Sequence, residues 1–225
     1  MILDRRRFLA GAGLAALAAG LGLPLSFEPA RAQSADQVKL MAPAASPLPE
    51  RAIGSPTAPV TVVEYASMTC SHCAHFHTTT FPELKKKYID TGKVRFIFRE
   101  FPFDEVATAA FMLARCMPDD KYYPMVSVLF ERQMSFLKTS ASDPADKPYQ
   151  GLLAIARQAG MSQADFEKCL TDKDLAKKVQ ESALYGNAQL GVNSTPTFFI
   201  NGKKESGAFP IDWWDKQLEP LLAGK

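Results

Sequence analysis

Apolar and polar positions along the chain predict strands near both ends and helices through the middle. Val60–Ala66 is a mostly apolar run, and Lys93–Arg99 alternates with β-branched and aromatic residues, so each segment predicts a strand. Residues 71–89 predict the helix between them, which ends before Thr91 and Gly92. Two strands joined by a helix in this way form a β-α-β unit with parallel strands.

A long helical pattern follows, in which apolar residues recur every three or four positions from Asp104 to Leu190. Within it, Ser162 followed by Asp165 predicts the start of a helix. This stretch is too long for one crossover between neighbouring strands. We therefore expect residues 104–190 to form a helical subdomain that is inserted into a sheet domain.

Strand patterns return towards the end of the chain. Thr197–Ile200 and Lys203–Ser206 flank Asn201 and Gly202, a two-residue turn that is typical of β-hairpins, and a final helix is predicted to about Leu222. The order β-α-β, helical insert, β-β-α predicts an α/β fold with a central mixed sheet. The two parts of the sheet domain lie on either side of the insert, at residues 57–103 and 191–225.

Residues 1–32 have the pattern of an export signal. Arg5, Arg6 and Arg7 form a twin-arginine-like start before an Ala-, Gly- and Leu-rich run, and Ala32 ends a small-x-small site for signal peptidase. We expect cleavage after Ala32, which would place the mature protein in the periplasm. The alternative is a retained membrane anchor, because the apolar run is close to the length of a spanning helix.

Removal of this segment would leave a formally neutral chain. The whole chain has 26 Lys+Arg and 24 Asp+Glu, and residues 1–32 hold four arginines against Asp4 and Glu28. A neutral chain argues against nucleic acid or an anionic membrane surface as a partner. The mature length fits one domain with an inserted subdomain. Residues 33–56 are expected to form a poorly ordered or surface-bound N-terminal arm with a short strand at Val38–Met41.

Cys70 and Cys73 are the main candidates for chemistry. They follow a predicted buried strand and open a helix, whose N-terminus carries a partial positive charge and free N–H groups that stabilise a thiolate. The thiolate is the form of cysteine that attacks a disulfide. This context predicts a redox-active pair, whereas the spacing alone also fits a permanent disulfide or two ligands of a metal site.

The order of elements, with these cysteines at the start of the first helix, resembles the thioredoxin fold, and the long helical insert resembles its DsbA-like branch. The resemblance covers residues 57–222. Three features carry it: segment 64–73, which ends in Cys-Ser-His-Cys, the Gly191–Gly202 run, and the insert between them. It implies an exported thiol:disulfide oxidoreductase that introduces disulfides into other proteins.

The resemblance implies a role for each residue of the Cys-Ser-His-Cys motif. Cys70 would be the nucleophile at the exposed end of the helix, and Cys73 would be the resolving cysteine. A cationic His72 would stabilise the thiolate of the reduced form and make the disulfide more oxidising; the alternative is a solvated residue without effect. Ser71 departs from the proline that many relatives have at this position.

Four further residues are expected to belong to the site. Glu64 is an acid in an apolar strand, and the resemblance places it beneath Cys73, whose proton it would move; the alternative is a strand-edge residue that faces water. Pro196 occupies the position of the cis-proline that faces the active disulfide in the thioredoxin fold. Thr195 would contact the substrate and the Cys70 sulfur, and Met68 is also expected to face the substrate.

Cys116 and Cys169 form a second candidate pair. Each lies on the apolar stripe of a predicted helix, and export would place both in an oxidising compartment. We expect them to form a structural disulfide inside the helical insert. Two buried free thiols are the alternative, because helical patterns do not show whether the two residues are close enough to bond.

His75 and His77 raise the possibility of a metal site. Cys73 and His77 are four residues apart and share a helix face, so the thiols and histidines together could be written as a ligand set. His75 points in a different direction from Cys73, which argues against one closed shell. We favour solvated or packing histidines and expect no bound metal.

These patterns favour a DsbA-like oxidase that acts through Cys70 and Cys73 without an organic cofactor or a metal. The expected partners are unfolded or reduced exported proteins and a DsbB-like membrane protein that reoxidises the pair, and the protein is expected to be a monomer. A disulfide isomerase or reductase is the alternative within the same class. A periplasmic metal-binding or metal-tolerance protein that uses the two thiols is the alternative from a different class.

Overall fold

A computed structural model of the protein describes residues 46–223. The strands within this range are β1 (Ala52–Ile53), β2 (Val60–Ala66), β3 (Val94–Glu100), β4 (Thr197–Ile200) and β5 (Lys203–Ser206). The first helix, α1, occupies residues 71–89 and consists of the segments Ser71–His75, Phe76–Thr80, Phe81–Leu84 and Lys85–Ile89, of which the second and fourth are π-helical. The other helices are α2 (Glu105–Arg115), α3 (Asp119–Glu131), α4 (Gln133–Phe136), α5 (Lys147–Gln158), α6 (Gln163–Leu170), α7 (Lys173–Leu190) and α8 (Ile211–Ala223).

The predicted elements of the sheet domain are confirmed, with β3 shifted by one residue from its predicted position. The expected signal segment, residues 1–32, and the expected strand Val38–Met41 lie outside the described residues. From residue 46 to residue 223, no helix combines the length and the apolar character that are needed to cross a bilayer.

The sheet has the strand order β1-β3-β2-β4-β5, with β2 at its centre. β2 is parallel to β3 and antiparallel to β4, and β4 continues antiparallel into β5. This is the expected mixed sheet. The β-hairpin turns at Asn201, whose φ of 47° is left-handed, and at Gly202, whose φ is 92°.

Alternation along the central strands divides the apolar residues between the two faces of the sheet. On one face, Val62, Phe96 and Phe198 join a large core that also takes in α1, α8 and the helices of the insert. On the other face, Val63 and Phe199 belong to a smaller core. The continuity of the larger core explains why the sheet and the insert form one packed body.

The helices of residues 104–190 pack against the sheet as well as against one another. The last of them, α7, contributes Leu190 to the smaller core. Gly186 in α7 lies against the ring of Tyr65 in β2, where an added Cβ would come within 2.7 Å of a ring carbon. Because this helix covers a sheet face, the chain segment 104–190 does not pack only on itself.

The end of the expected N-terminal arm is part of the fold. Residues 52–53 form β1, which pairs antiparallel with β3 at the edge of the sheet, and Leu48 is buried in the larger core. Arg115 also donates a hydrogen bond to the carbonyl of Pro49 at 2.6 Å. This part of the arm is therefore fixed by long-range contacts that its own composition does not reveal.

Cys116, at the end of α2, is bonded to Cys169 in α6. The two sulfur atoms are 2.08 Å apart, and the Cα atoms are separated by 6.1 Å. Both residues contact the larger core. The bond ties two helices of the insert together across 53 positions of sequence.

Replacement of both residues, Cys116→Ala with Cys169→Ala, is expected to lower the free energy of unfolding by about 4 kcal/mol, because the unfolded chain would no longer contain a closed loop of this length. Urea unfolding of the oxidised protein measures the change. The matched control is the Cys70→Ala/Cys73→Ala variant, whose closed loop would be much shorter. A loss below about 1 kcal/mol in the first variant would contradict this role for the bond.

Candidate active site

Cys70 lies at the N-cap of α1, where the chain leaves the sheet. Its backbone is extended, with φ −83° and ψ 119°, and its sulfur accepts a hydrogen bond from the backbone N–H of Cys73 at 3.4 Å. The first N–H groups of a helix have no acceptor within the helix, so a sulfur at this position can accept a hydrogen bond from one of them. The strand β2 thus delivers Cys70 to a site where negative charge is favoured.

A second segment approaches Cys70 from the other end of the chain. The Cys70 sulfur lies 3.3 Å from the backbone carbonyl oxygen of Thr195, to which it donates a hydrogen bond in its thiol form, and the Thr195–Pro196 peptide bond is cis. The hydroxyl oxygen of Thr195 is buried and has no hydrogen-bond partner among residues 46–223. The structure therefore brings together the two motifs that the sequence analysis assigned to one site.

The environment of Cys70 lowers the pKa of its thiol to about 5. The main cause is the hydrogen bond from the Cys73 thiol, and partial burial opposes it. The backbone N–H groups of Cys73 and His72 lower the pKa further. At neutral pH, Cys70 in the reduced pair is therefore a thiolate.

Cys73 has the opposite character. Its side chain is fully buried, and this burial is the main cause of a pKa well above the ordinary cysteine value. The hydrogen bond to Cys70 and the negative charge of Glu64 raise the pKa further. One cysteine of the pair is thus charged and half-buried, while the other is a neutral buried thiol.

Glu64 lies on the face of β2 that points into the larger core, and its charge raises the pKa of the Cys73 thiol. It is fully buried, so the alternative of a strand-edge residue facing water is wrong. Its carboxylate oxygen Oε2 lies 2.8 Å from Nε2 of His77, which is also buried. His77 is therefore a buried histidine paired with an acid, a contact that the sequence analysis did not predict.

The two other histidines of α1 are exposed. His72 contributes its backbone N–H to the lowered pKa of Cys70, as described above. His75 contacts the solvent on the same helix. Among the described residues, no three His, Cys, Asp or Glu side chains are grouped so that they could hold a metal ion.

Met68 does not face a substrate, and this expectation is wrong. Its side chain has no exposed surface and belongs to the larger core. Its backbone carbonyl accepts a hydrogen bond from Nε2 of Gln133 at 3.0 Å. The residue thus anchors the turn before Cys70, because the chain directs its side chain inward after β2 ends.

Gln133, in α4 of the insert, is a site residue that the sequence analysis missed. It is buried, and the same side-chain nitrogen donates to the carbonyl of Cys70 at 3.0 Å as well as to Met68. Thr69 is held from a second direction, since its hydroxyl donates to Asp104 at 2.8 Å. The one signal in the sequence is a glutamine within the apolar stripe of a helix.

The chain matches known proteins over most of its length. A family profile described as Thioredoxin matches residues 47–220. The crystal structure of α-DsbA1 from Wolbachia pipientis is 32% identical in sequence, with a TM-score of 0.71, and the match covers 80% of this chain and 94% of that one. The chain belongs to the DsbA-like family of thioredoxin-fold proteins.

Two further proteins, one from Rickettsia and one from Bacillus, are similar to this DsbA-like chain. A Rickettsia bellii protein named as a protein-disulfide oxidoreductase is 34% identical over 151 residues, which are 67% of this chain and 56% of that protein. BdbD from Bacillus subtilis shares the fold, with a TM-score of 0.65 at 22% identity over 78% of this chain and 94% of that one. The chain therefore spans little more than half the length of the Rickettsia relative.

Gln133→Leu is expected to lower the free energy of unfolding of the DsbA-like chain by about 2 kcal/mol, because the change leaves the backbone carbonyls of Met68 and Cys70 without their donor. Chemical denaturation of the reduced protein measures the effect. Gln150→Leu, on the exposed side of α5, is the matched control and is expected to change stability by less than about 0.5 kcal/mol. Equal effects of the two variants would contradict the anchoring role of Gln133.

Proposed function

We propose that this DsbA-like chain is a thiol:disulfide oxidase that introduces disulfides into other proteins through Cys70 and Cys73. The difference between the two cysteines carries the proposal, because the pKa of Cys70 is lowered to about 5 while the pKa of Cys73 is raised. A stabilised thiolate favours the reduced form, and a disulfide whose reduced form is stabilised is a stronger oxidant.

Disulfide transfer would occur in two steps, each of which exchanges one S–S bond for another. A substrate thiolate attacks Cys70 Sγ, the bond between Cys70 and Cys73 breaks, and Cys73 leaves as a thiolate that takes up a proton. A second substrate thiolate then attacks the substrate sulfur of the mixed disulfide, and Cys70 leaves as a thiolate. The substrate loses two electrons to the pair, and the low pKa of Cys70 makes it a good leaving group.

Substrate is proposed to bind beside the cis peptide bond of Thr195 and Pro196. The carbonyl of Thr195 lies 3.3 Å from the Cys70 sulfur, so an extended peptide that reaches this segment would also reach the nucleophile. Two exposed apolar side chains, Phe103 and Met134, are sequence neighbours of residues that hold the turn before Cys70. They give an unfolded substrate apolar surface to contact.

Export, the signal peptide cut after Ala32, a periplasmic site of action and a monomeric state remain part of the proposal, as does the division into a sheet domain and a helical insert. A disulfide between Cys116 and Cys169 fits an oxidising compartment. The reduced pair needs an oxidant after each cycle, and we propose a DsbB-like membrane protein for this role.

The structure favours the oxidase over the alternatives that the sequence left open. A reductase of the thioredoxin type has a nucleophile with a pKa near ~7, which is above the value for Cys70. A metal site that uses His77 is disfavoured, because Nε2 of this ring already bonds to Glu64. His72 is proposed to support the thiolate from its exposed position between the two cysteines.

Oxidised protein mixed with reduced, unfolded ribonuclease A in equal amounts is expected to lose its Cys70–Cys73 disulfide while the substrate gains one. Quantification of thiols in the separated proteins measures the transfer. Cys70→Ser is expected to abolish it, because no disulfide can form at the site, whereas the Cys116→Ala/Cys169→Ala variant keeps it. An equilibrium that leaves ribonuclease A reduced and the protein oxidised would contradict an oxidase and favour a reductase.

A further inference from the structure

We propose that His77 is a positioning residue for proton exchange at Cys73, which acts by holding Glu64 in a buried acid–base pair. This inference rests on the proposed function of Cys70 and Cys73, because it concerns a step of disulfide exchange. The observation that carries it is the 2.8 Å contact between Nε2 of His77 and Oε2 of Glu64, both of which are buried.

The neighbours of Glu64 in the sheet leave it dependent on His77. In the strand register, Glu64 lies opposite Phe98 on β3 and Phe198 on β4. Trp214 of α8 packs edge-on against Phe198, with the ring centres 4.8 Å apart. A carboxylate among aromatic rings is costly unless a partner compensates for its lost hydration, and His77 is the partner that the structure provides.

The ring of His77 is packed between aromatic side chains. It stacks on Phe130 of α3 at a centroid distance of 4.3 Å and an angle of 14°, and it packs against Phe81 at 4.9 Å. The residue lies in the π-helical segment of α1, while His75, two positions earlier, points to solvent. Such local widening of a helix often occurs at functional sites, and here it accompanies an inward-facing imidazole four residues after Cys73.

Glu64 and His77 each have one buried polar atom without a hydrogen-bond partner among residues 46–223. These atoms are Oε1 of Glu64 and Nδ1 of His77. A buried polar atom without a partner is uncommon and needs an explanation. A carboxylate oxygen that can accept a proton and a ring nitrogen that can bind one are the two atoms that a proton-exchange pair would keep free.

Among residues 46–223, the charge of Glu64 acts on two titratable groups outside the pair, Cys73 and Tyr123. The negative charge of Glu64 helps to raise the pKa of the Cys73 thiol in α1. The charge of Glu64 also acts on Tyr123 of α3. Burial keeps the pKa of Tyr123 well above its ordinary value, and its hydroxyl donates a hydrogen bond to the carbonyl of Phe96 at 3.1 Å. β3 and β4 present only Phe98 and Phe198 at the positions facing Glu64. Cys73 is therefore the group with which the pair would exchange a proton.

The pair of Glu64 and His77 supplies the proton that Cys73 takes up during disulfide exchange. When the bond between Cys70 and Cys73 breaks, Cys73 leaves as a thiolate inside the core, and the proton shared by Glu64 and His77 moves to that sulfur. The pair is left with a carboxylate and a neutral imidazole. In the reverse step, Cys73 attacks a mixed disulfide on Cys70 and returns its proton to Glu64, where His77 stabilises the arrangement.

The reaction of the reduced protein with an excess of an aromatic disulfide measures the attack of Cys73 separately from the attack of Cys70. The first aromatic thiol is released when Cys70 attacks the reagent, and the second is released when Cys73 attacks the mixed disulfide formed on Cys70. His77→Gln is expected to slow the second release about tenfold at neutral pH and to leave the first release unchanged. His75→Gln, the matched control on the exposed side of α1, is expected to change neither release.

The pH profile separates proton exchange from a merely structural effect. In His77→Gln, the second rate is expected to rise about tenfold per pH unit, because it follows the small thiolate fraction of Cys73. The wild-type profile is expected to be flatter, since Glu64 accepts the proton, and Glu64→Gln should reproduce the steep profile. Superimposable profiles for wild type and His77→Gln would overturn the inference.

A measurement on the unaltered protein covers the case in which these variants do not fold. With ¹⁵N-labelled histidine, the ring signals of His77 are expected to differ between the disulfide and dithiol forms, while those of His75 do not. Identical His77 signals in the two forms would overturn the inference. If transfer to ribonuclease A still occurs, only the role of His77 fails; if Cys70 does not react at all, the proposed function fails first.

Discussion

The site depends on the hydrogen bonds that Cys73 donates to the sulfur of Cys70, from its thiol and from its backbone N–H. They exist because β2 ends one turn before the helix begins and because Cys70 caps that helix with an extended backbone. Gln133 and the Thr195 carbonyl then fix the same turn from two distant parts of the chain. The fold thus serves to hold one sulfur at a helix N-terminus, where its negative charge is stabilised.

The asymmetry of the cysteine pair follows from the same arrangement. Because the pKa of Cys70 is lowered in the folded protein, its thiolate stabilises the reduced state fully above the ordinary cysteine pKa, and this stabilisation is lost as the pH falls through about 5. Cys73 is one helical turn deeper and loses its hydration, so it stays protonated. In the proposed mechanism, the buried pair of Glu64 and His77 gives a proton to Cys73 and takes it back, because this part of the core is buried away from solvent.

Local signals in the sequence predict most of the fold and the reactive pair. The four longer strands, α1 and the turn at Asn201 follow from periodicity and turn chemistry, which act over a few residues. The two-residue strand β1, the inward direction of Met68 and the role of Gln133 could not be predicted, because each depends on contacts between distant segments. The partner of Glu64 was missed because a π-helical segment places His77, and no pattern of apolar residues shows this.

Titration of thiolate absorbance in the reduced protein tests the central claim most directly. The structure predicts one thiolate step centred near pH 5, which belongs to Cys70, and no second step until well above the ordinary cysteine pKa, since Cys73 is buried. Cys70→Ser should remove the first step. A first step at the ordinary value of roughly 8.5 would show that neither the Cys73 thiol nor the helix N-terminus stabilises the thiolate, and would contradict the account.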